Sequence, residues 1–158
     1  GYTPDDLPKL TIGGLLMRLH RLSLLGNLLS NEQQEQLDIA QKQVENVKRE
    51  WLVAYTNKTT DELIIRINEW NQFLNECRQN QDECREMYPS MVEKRVMAQV
   101  LVNEARELNV LTPEIEKRLN GIDSQLQGYF KAGSFVWDQR LQRAYPQDEY
   151  GFLYVTIL

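Results

Sequence analysis

Few residues in this chain are equipped for chemistry, and their numbers already exclude whole classes of site. There is one histidine, His20, in 158 residues. Any centre that needs two, such as paired Glu-x-x-His di-iron ligation or a His-Glu-x-x-His zinc helix, is therefore excluded within one subunit. Glu83 and Glu86, and again Glu104 and Glu107, stand three apart, a spacing that on a helix sends two carboxylates to one side. Paired acids on facing helices can hold magnesium or manganese for phosphate-ester hydrolysis, which makes a metal-dependent phosphohydrolase built on these four glutamates the enzymatic alternative. Against it, Arg85, Lys94, Arg95 and Arg106 interleave with the acids, and residues 61–110 carry ten acids and six bases. That mixture is what a solvated helix face carries.

The two cysteines, Cys77 and Cys84, are seven apart. In an unbroken helix this separation means about 10 Å of rise, whereas bridged Cα atoms lie within about 7 Å. The apolar pattern stays in phase through the residues between them, so the expectation is two free thiols acting as small buried hydrophobes, in a reducing compartment. No serine, threonine or cysteine has a visible histidine–acid pairing except through His20. Gly13-Gly14 lacks the lysine and the spacing of a phosphate-binding loop.

The string His20-Arg21-Leu22-Ser23-Leu24 resembles the His-x-Leu-Lys-Gly motif of histidine phosphotransfer modules at His20 and Leu22 only. That resemblance implies phosphoryl transfer at His20. Ser23 and Leu24 stand where the charge-stabilising lysine and the space-leaving glycine would be. The residues themselves read as a partly exposed histidine on a helix edge.

Eight of the fourteen aromatics fall within the last thirty residues, with Lys131, Arg140 and Arg143 beside them. Stacked on bases they would bind single-stranded nucleic acid. Asp138, Asp148 and Glu149 cancel those charges, and the chain's net charge of -5 repels phosphate backbones. A core or a protein contact is the favoured reading, without nucleic acid as a partner.

The elements that must position these groups are helical. Apolar residues from Ile12 to Leu29 occupy nearly two faces, with Leu16, Leu24, Leu25 and Leu28 forming the second set. Residues 31–57 step three, four, three, four, three through Leu37, Ala40, Val44, Val47, Trp51 and Ala54. Thr59 or Thr60 then reads as the cap of a helix running to about residue 88, which folds the pair into a long antiparallel hairpin. Ser90 with Glu93 behind Pro89 predicts a fresh start there, and Thr112-Pro113-Glu114 predicts another. A short helix is expected over 134–145, closed by Pro146. Tyr150–Leu158 is dense in aromatic and β-branched residues and reads as a strand with no visible partner.

The fold expected is therefore all-α: a five- or six-helix, mostly up-down bundle in one domain, 1–158, with a lead-in over 1–10 and an extended tail over 147–158. No run of about 20 apolar residues is available to span a membrane, and no signal peptide is visible at Gly1, so a cytoplasmic location is expected. No cofactor is implied. The leading functional expectation is a non-enzymatic interaction or scaffold module that binds protein, including a second copy of itself, through Leu16, Leu24, Leu28, Tyr150, Phe152 and Tyr154. A further alternative is an apolar ligand held between helices near Trp51, Trp70 and Trp137.

Overall fold

The structure, a computed structural model, describes residues 11–158; the lead-in read over residues 1–10 lies outside them. The all-α expectation holds. Six α-helices and one two-stranded ladder make up the regular structure of the described residues, along with short 3-10 turns. No helix among them is long and apolar enough to cross a membrane.

Helix α1 (Ile12–Leu24) opens at Thr11, whose hydroxyl accepts from Gly14 N at 3.0 Å. Its Gly13 N–H reaches both oxygens of the Glu62 carboxylate, at 3.0 and 3.1 Å. A Cβ on Gly13 would stand 2.3 Å from Glu62 Oε2, so glycine here is what lets the helix approach its neighbour so closely. The chain turns through Gly26–Leu28 and restarts at Ser30. Ser30 and Gln33 form a reciprocal capping box that opens α2 (Asn31–Glu50).

The first correction concerns the hairpin. Helix α2 does not run to residue 57 and fold back. It gives way to α3 (Leu52–Gln79) at a single residue, Trp51, with φ -121° and ψ 42°. Backbone hydrogen bonding continues on both sides, from Trp51 N to Val47 O and from Tyr55 N to Trp51 O, each at 2.8 Å. Thr59 and Thr60 are not caps, because their hydroxyls donate to the carbonyls of Tyr55 and Thr56, four residues back in the same helix.

The reversal comes at Asn80 instead. Asn80 ends α3 and caps α4 (Gln81–Glu107), accepting from Glu83 N at 3.0 Å. With the helix broken there, Cys77 and Cys84 face one another across the turn, Cα to Cα 4.8 Å, and are joined as a disulfide. The expectation of two free thiols is overturned. The stripe stays in phase because residues flanking a tight helix–helix turn both face the shared core, which a count along one continuous helix cannot distinguish.

Pro89 lies inside α4 rather than at a new start, and Ser90 Oγ donates back to Met87 O. Helix α4 ends in a Schellman arrangement. Asn109 sits at φ 57°, with Asn109 N on Arg106 O and Val110 N on Ala105 O. Thr112 and Pro113 then open α5 (Pro113–Asp123) as expected.

Beyond α5 the chain turns through α6 (Leu126–Tyr129) into β1 (Phe130–Ala132), which pairs antiparallel with β2 (Val155–Ile157), Phe130 opposite Ile157. The tail strand therefore has its partner within the chain and is shorter than expected, since Gly151–Leu153 forms a 3-10 turn. The helix expected over 134–145 is an irregular meander containing a 3-10 turn, Gln139–Ala144. This meander lies over α1 and α4. Tyr88 Oη donates to Phe152 O, Tyr154 Oη to Tyr145 O and Trp137 Nε1 to Pro89 O. The main core lies between α3 and α4 around Leu63, Ile67, Trp70, Val92, Val96 and Leu101, each essentially without exposure.

Candidate functional site

The four glutamates do not form one centre. Glu83 and Glu86 lie at the start of α4, exposed, and Glu83 is paired with the Asn80 cap. Glu104 lies eighteen residues beyond Glu86 on the same helix, about 27 Å along its axis. Among the described residues, no three His, Cys, Asp or Glu side chains converge on a possible metal position. Glu107 is exposed, but Glu104 is 7% exposed and its Oε1 meets Lys48 Nζ at 2.7 Å. Lys48 also approaches Glu45 at 3.4 Å and lies 5.7 Å from the centre of the Tyr55 ring. Burial pulls the Lys48 pKa down, but the Glu104 hydrogen bond and charge outweigh it and leave it above the ordinary lysine value. Burial, and then the Glu104 charge, push the Tyr55 hydroxyl well above the usual tyrosine range. Glu104 is thus an anchor that fastens α2 to α4.

His20 is also committed. Its Nε2 donates to Ala144 O at 2.6 Å, and its ring packs against both Tyr145 and Tyr150, 5.4 and 5.7 Å away. Neighbouring Arg21 donates to Tyr145 Oη at 2.6 Å and covers the Trp137 ring at 4.9 Å. Together they clip the C-terminal meander onto α1, and the phosphotransfer resemblance finds no free Nε2 here.

A second buried ionic group lies deeper. Arg95, 5% exposed, holds Asp123 with Nε 3.1 Å from both carboxylate oxygens and Nη2 2.9 Å from Oδ2. Trp70 Nε1 donates to Oδ1 of the same carboxylate at 2.9 Å, and the guanidinium stacks over Phe152 at 4.3 Å. The group ties α3, α4, α5 and the tail together, all structural partners.

The residues expected at an interface separate into two groups. Tyr150, Phe152 and Tyr154 are buried within the subunit, so they complete its core and are not on its surface. The burial follows from the strand finding its partner in β1. Leu16 is half-buried, while Leu24 and Leu28 are exposed, Leu28 at 72%. The three tryptophans likewise share no cavity. Trp70 is in the packed core, Trp137 lies under Arg21, and Trp51 is 62% exposed.

What the structure brings together instead is a groove of about 610 Å³ along the seam of α1, α2 and the start of α3. Ile12 and Leu15 form one wall, and Ala40, Val44, Val47, Trp51 and Ala54 the other, with Lys58 the one charged residue lining it. The second wall, Ala40 to Ala54, belongs to the three-four stripe read from the sequence. Leu37 is buried, but Val47 is 49% exposed and Trp51 more so. Periodicity shows that these residues share a face, not whether the chain covers that face. On the other flank, Val44 also borders a polar cavity of about 340 Å³ lined by His20, Lys48 and Glu104.

Comparison with family models, with curated proteins and with solved structures finds no match to this chain.

Proposed function

We propose that the chain is a non-enzymatic docking module that binds protein through the groove between α1, α2 and the start of α3. The carrying observation is that one of the clearest apolar stripes in the sequence, Ala40 to Ala54, is left uncovered through Val47 and Trp51. Contiguous exposed apolar surface rimmed by polar residues is characteristic of contact sites. The side chains with chemical potential, His20, Glu104 and Arg95, are each engaged in holding elements together. The disulfide supports work in an oxidising compartment, in place of the reducing cytoplasm expected from free thiols.

The test is the native mass of the protein taken gently from its source, compared with a Val47→Glu/Trp51→Glu variant expressed in its place. A complex heavier than one chain that falls to a single chain in the variant supports the reading. A single bare chain in both overturns it. Added mass of a few hundred daltons on a single chain would instead point to a small apolar ligand, which the groove volume also suits.

A further inference from the structure

We infer that a second cavity, between α5, the β1–β2 ladder and the Gly151–Leu153 turn, binds a small organic carboxylate with an apolar body through Arg95 and Lys131. It shares no lining residue with the groove of the docking reading and stands independently of that reading.

The cavity has a volume of about 440 Å³, and Arg95 of α4 is part of its wall. Most of the Arg95 guanidinium is engaged. Nε and Nη2 hold the Asp123 carboxylate side-on, and Nη2 also donates to Gln99 Oε1 at 3.2 Å. Nη1 differs, because it is buried and makes no hydrogen bond to any described residue. The tie between α4 and α5 uses one edge of the planar fork, so the Nη1 donors are not needed for it. A buried N–H of a charged group left without an acceptor is costly, and an anionic oxygen is the partner that offsets the cost most fully.

The other charges of the wall point the same way. Two acids and two bases line the cavity, so its formal charge cancels. Both acids already have donors: Asp123 accepts from Arg95 and Trp70, and Glu149 Oε1 accepts from Asn103 Nδ2 at 3.0 Å. Lys131, by contrast, is exposed and makes no ion pair among the described residues. The uncommitted polar groups are therefore cationic, and an amine would meet no carboxylate without a partner.

Much of the remaining wall is apolar. Phe130, Phe152 and Tyr154 supply rings, with Phe152 4.3 Å from the Arg95 guanidinium and the Tyr154 hydroxyl occupied on Tyr145 O. Apolar walls with a few convergent polar groups characterise sites for small molecules. A carboxylate head on the two cations and a hydrocarbon body on the rings uses both parts, whereas an inorganic anion uses only the first.

Titration of the purified chain with phenylacetate, followed by the NMR signal of the Trp70 indole N–H, tests the inference. That N–H shares the Asp123 carboxylate with Arg95, so loading Nη1 is expected to move its signal and leave that of the exposed Trp51 in place. The expected result is a saturable shift with phenylacetate and none with phenylethanol, which keeps the body and lacks the charge. Lys131→Glu alters an exposed residue and is expected to weaken binding roughly fivefold with an unchanged circular dichroism spectrum. No saturable shift with phenylacetate overturns the inference, as does an equal response to phenylethanol or to inorganic phosphate. Unaltered affinity in Lys131→Glu overturns it too, because the carboxylate would then be bound elsewhere.

Discussion

Lys48 of α2 and Glu104 of α4 meet at 2.7 Å with both side chains largely out of water, 15% and 7% exposed. Among the described residues, their contact is the one direct ionic tie between the α1–α2 arm and α4. A buried pair of this kind is costly to break from one side, because the surviving charge keeps its desolvation penalty. Lys48→Met is expected to lower stability by about 3 kcal/mol in urea unfolding. The double variant Lys48→Met/Glu104→Leu is expected to recover most of that loss, and failure to recover would assign the cost to lost packing.

Alkaline pH should destabilise the protein, and the sign follows from the tyrosines. Burial raises the hydroxyl pKa of Tyr55, Tyr88, Tyr145 and Tyr150 above the ordinary value of 10.0. Their contribution is fully present below pH 10 and is lost as pH rises toward the elevated folded values, because the unfolded chain gives up those protons first. Lys48 acts in the same direction, its folded pKa lying above 10.5. The urea midpoint should be flat from pH 7 to 9 and fall steeply above 10. A midpoint unchanged at pH 11 would show that these hydroxyls are accessible to solvent.

Reduction should loosen the α3–α4 turn. The Cys77–Cys84 bond closes a short loop, and loop closure on this scale constrains the unfolded chain by about 2 kcal/mol. Thermal unfolding with and without reductant, or of Cys77→Ser/Cys84→Ser, should show a lower Tm without loss of helix content at 25 °C. Equal melting temperatures would contradict this.

Asp123→Asn leaves the Arg95 guanidinium buried opposite a neutral amide, and Asp123→Ala leaves it with no side-chain counter-charge from α5. The second is expected to cost about 3–5 kcal/mol and to shift Trp70 emission, because the indole N–H loses its acceptor at 2.9 Å. An unshifted spectrum would mean that Trp70 does not use Asp123 in solution.

Much of the helical architecture was legible from caps and periodicity. Thr112 caps where its sequence says it does, since a cap is a local device. The breaks at Trp51 and Asn80 were not legible. Trp51 carries no turn signal, being an aromatic residue between a helix-forming glutamate and leucine. Asn80 is flanked by glutamines, arginine and aspartate that suit a helix as well as a turn. The disulfide followed from that hidden break. Of the candidate site, the stripe was visible as a pattern, but whether the chain covers its own stripe depends on the long-range placement of α1. Arg95 was read as one charge of a solvated helix face, and its partner Asp123 lies 28 residues away. Their burial arises from α5 folding back over α4.

The single-residue joint at Trp51 makes α2 a lever. Its 20 residues extend about 30 Å from the joint, while the Lys48–Glu104 tie lies only three residues from the fulcrum. A ten-degree rotation at Trp51 would carry the Ser30 end through roughly 5 Å yet barely stretch that tie. Resistance to such a swing has to come from the far end, where Leu37 is buried, so the aperture of the groove is governed by contacts remote from its own walls.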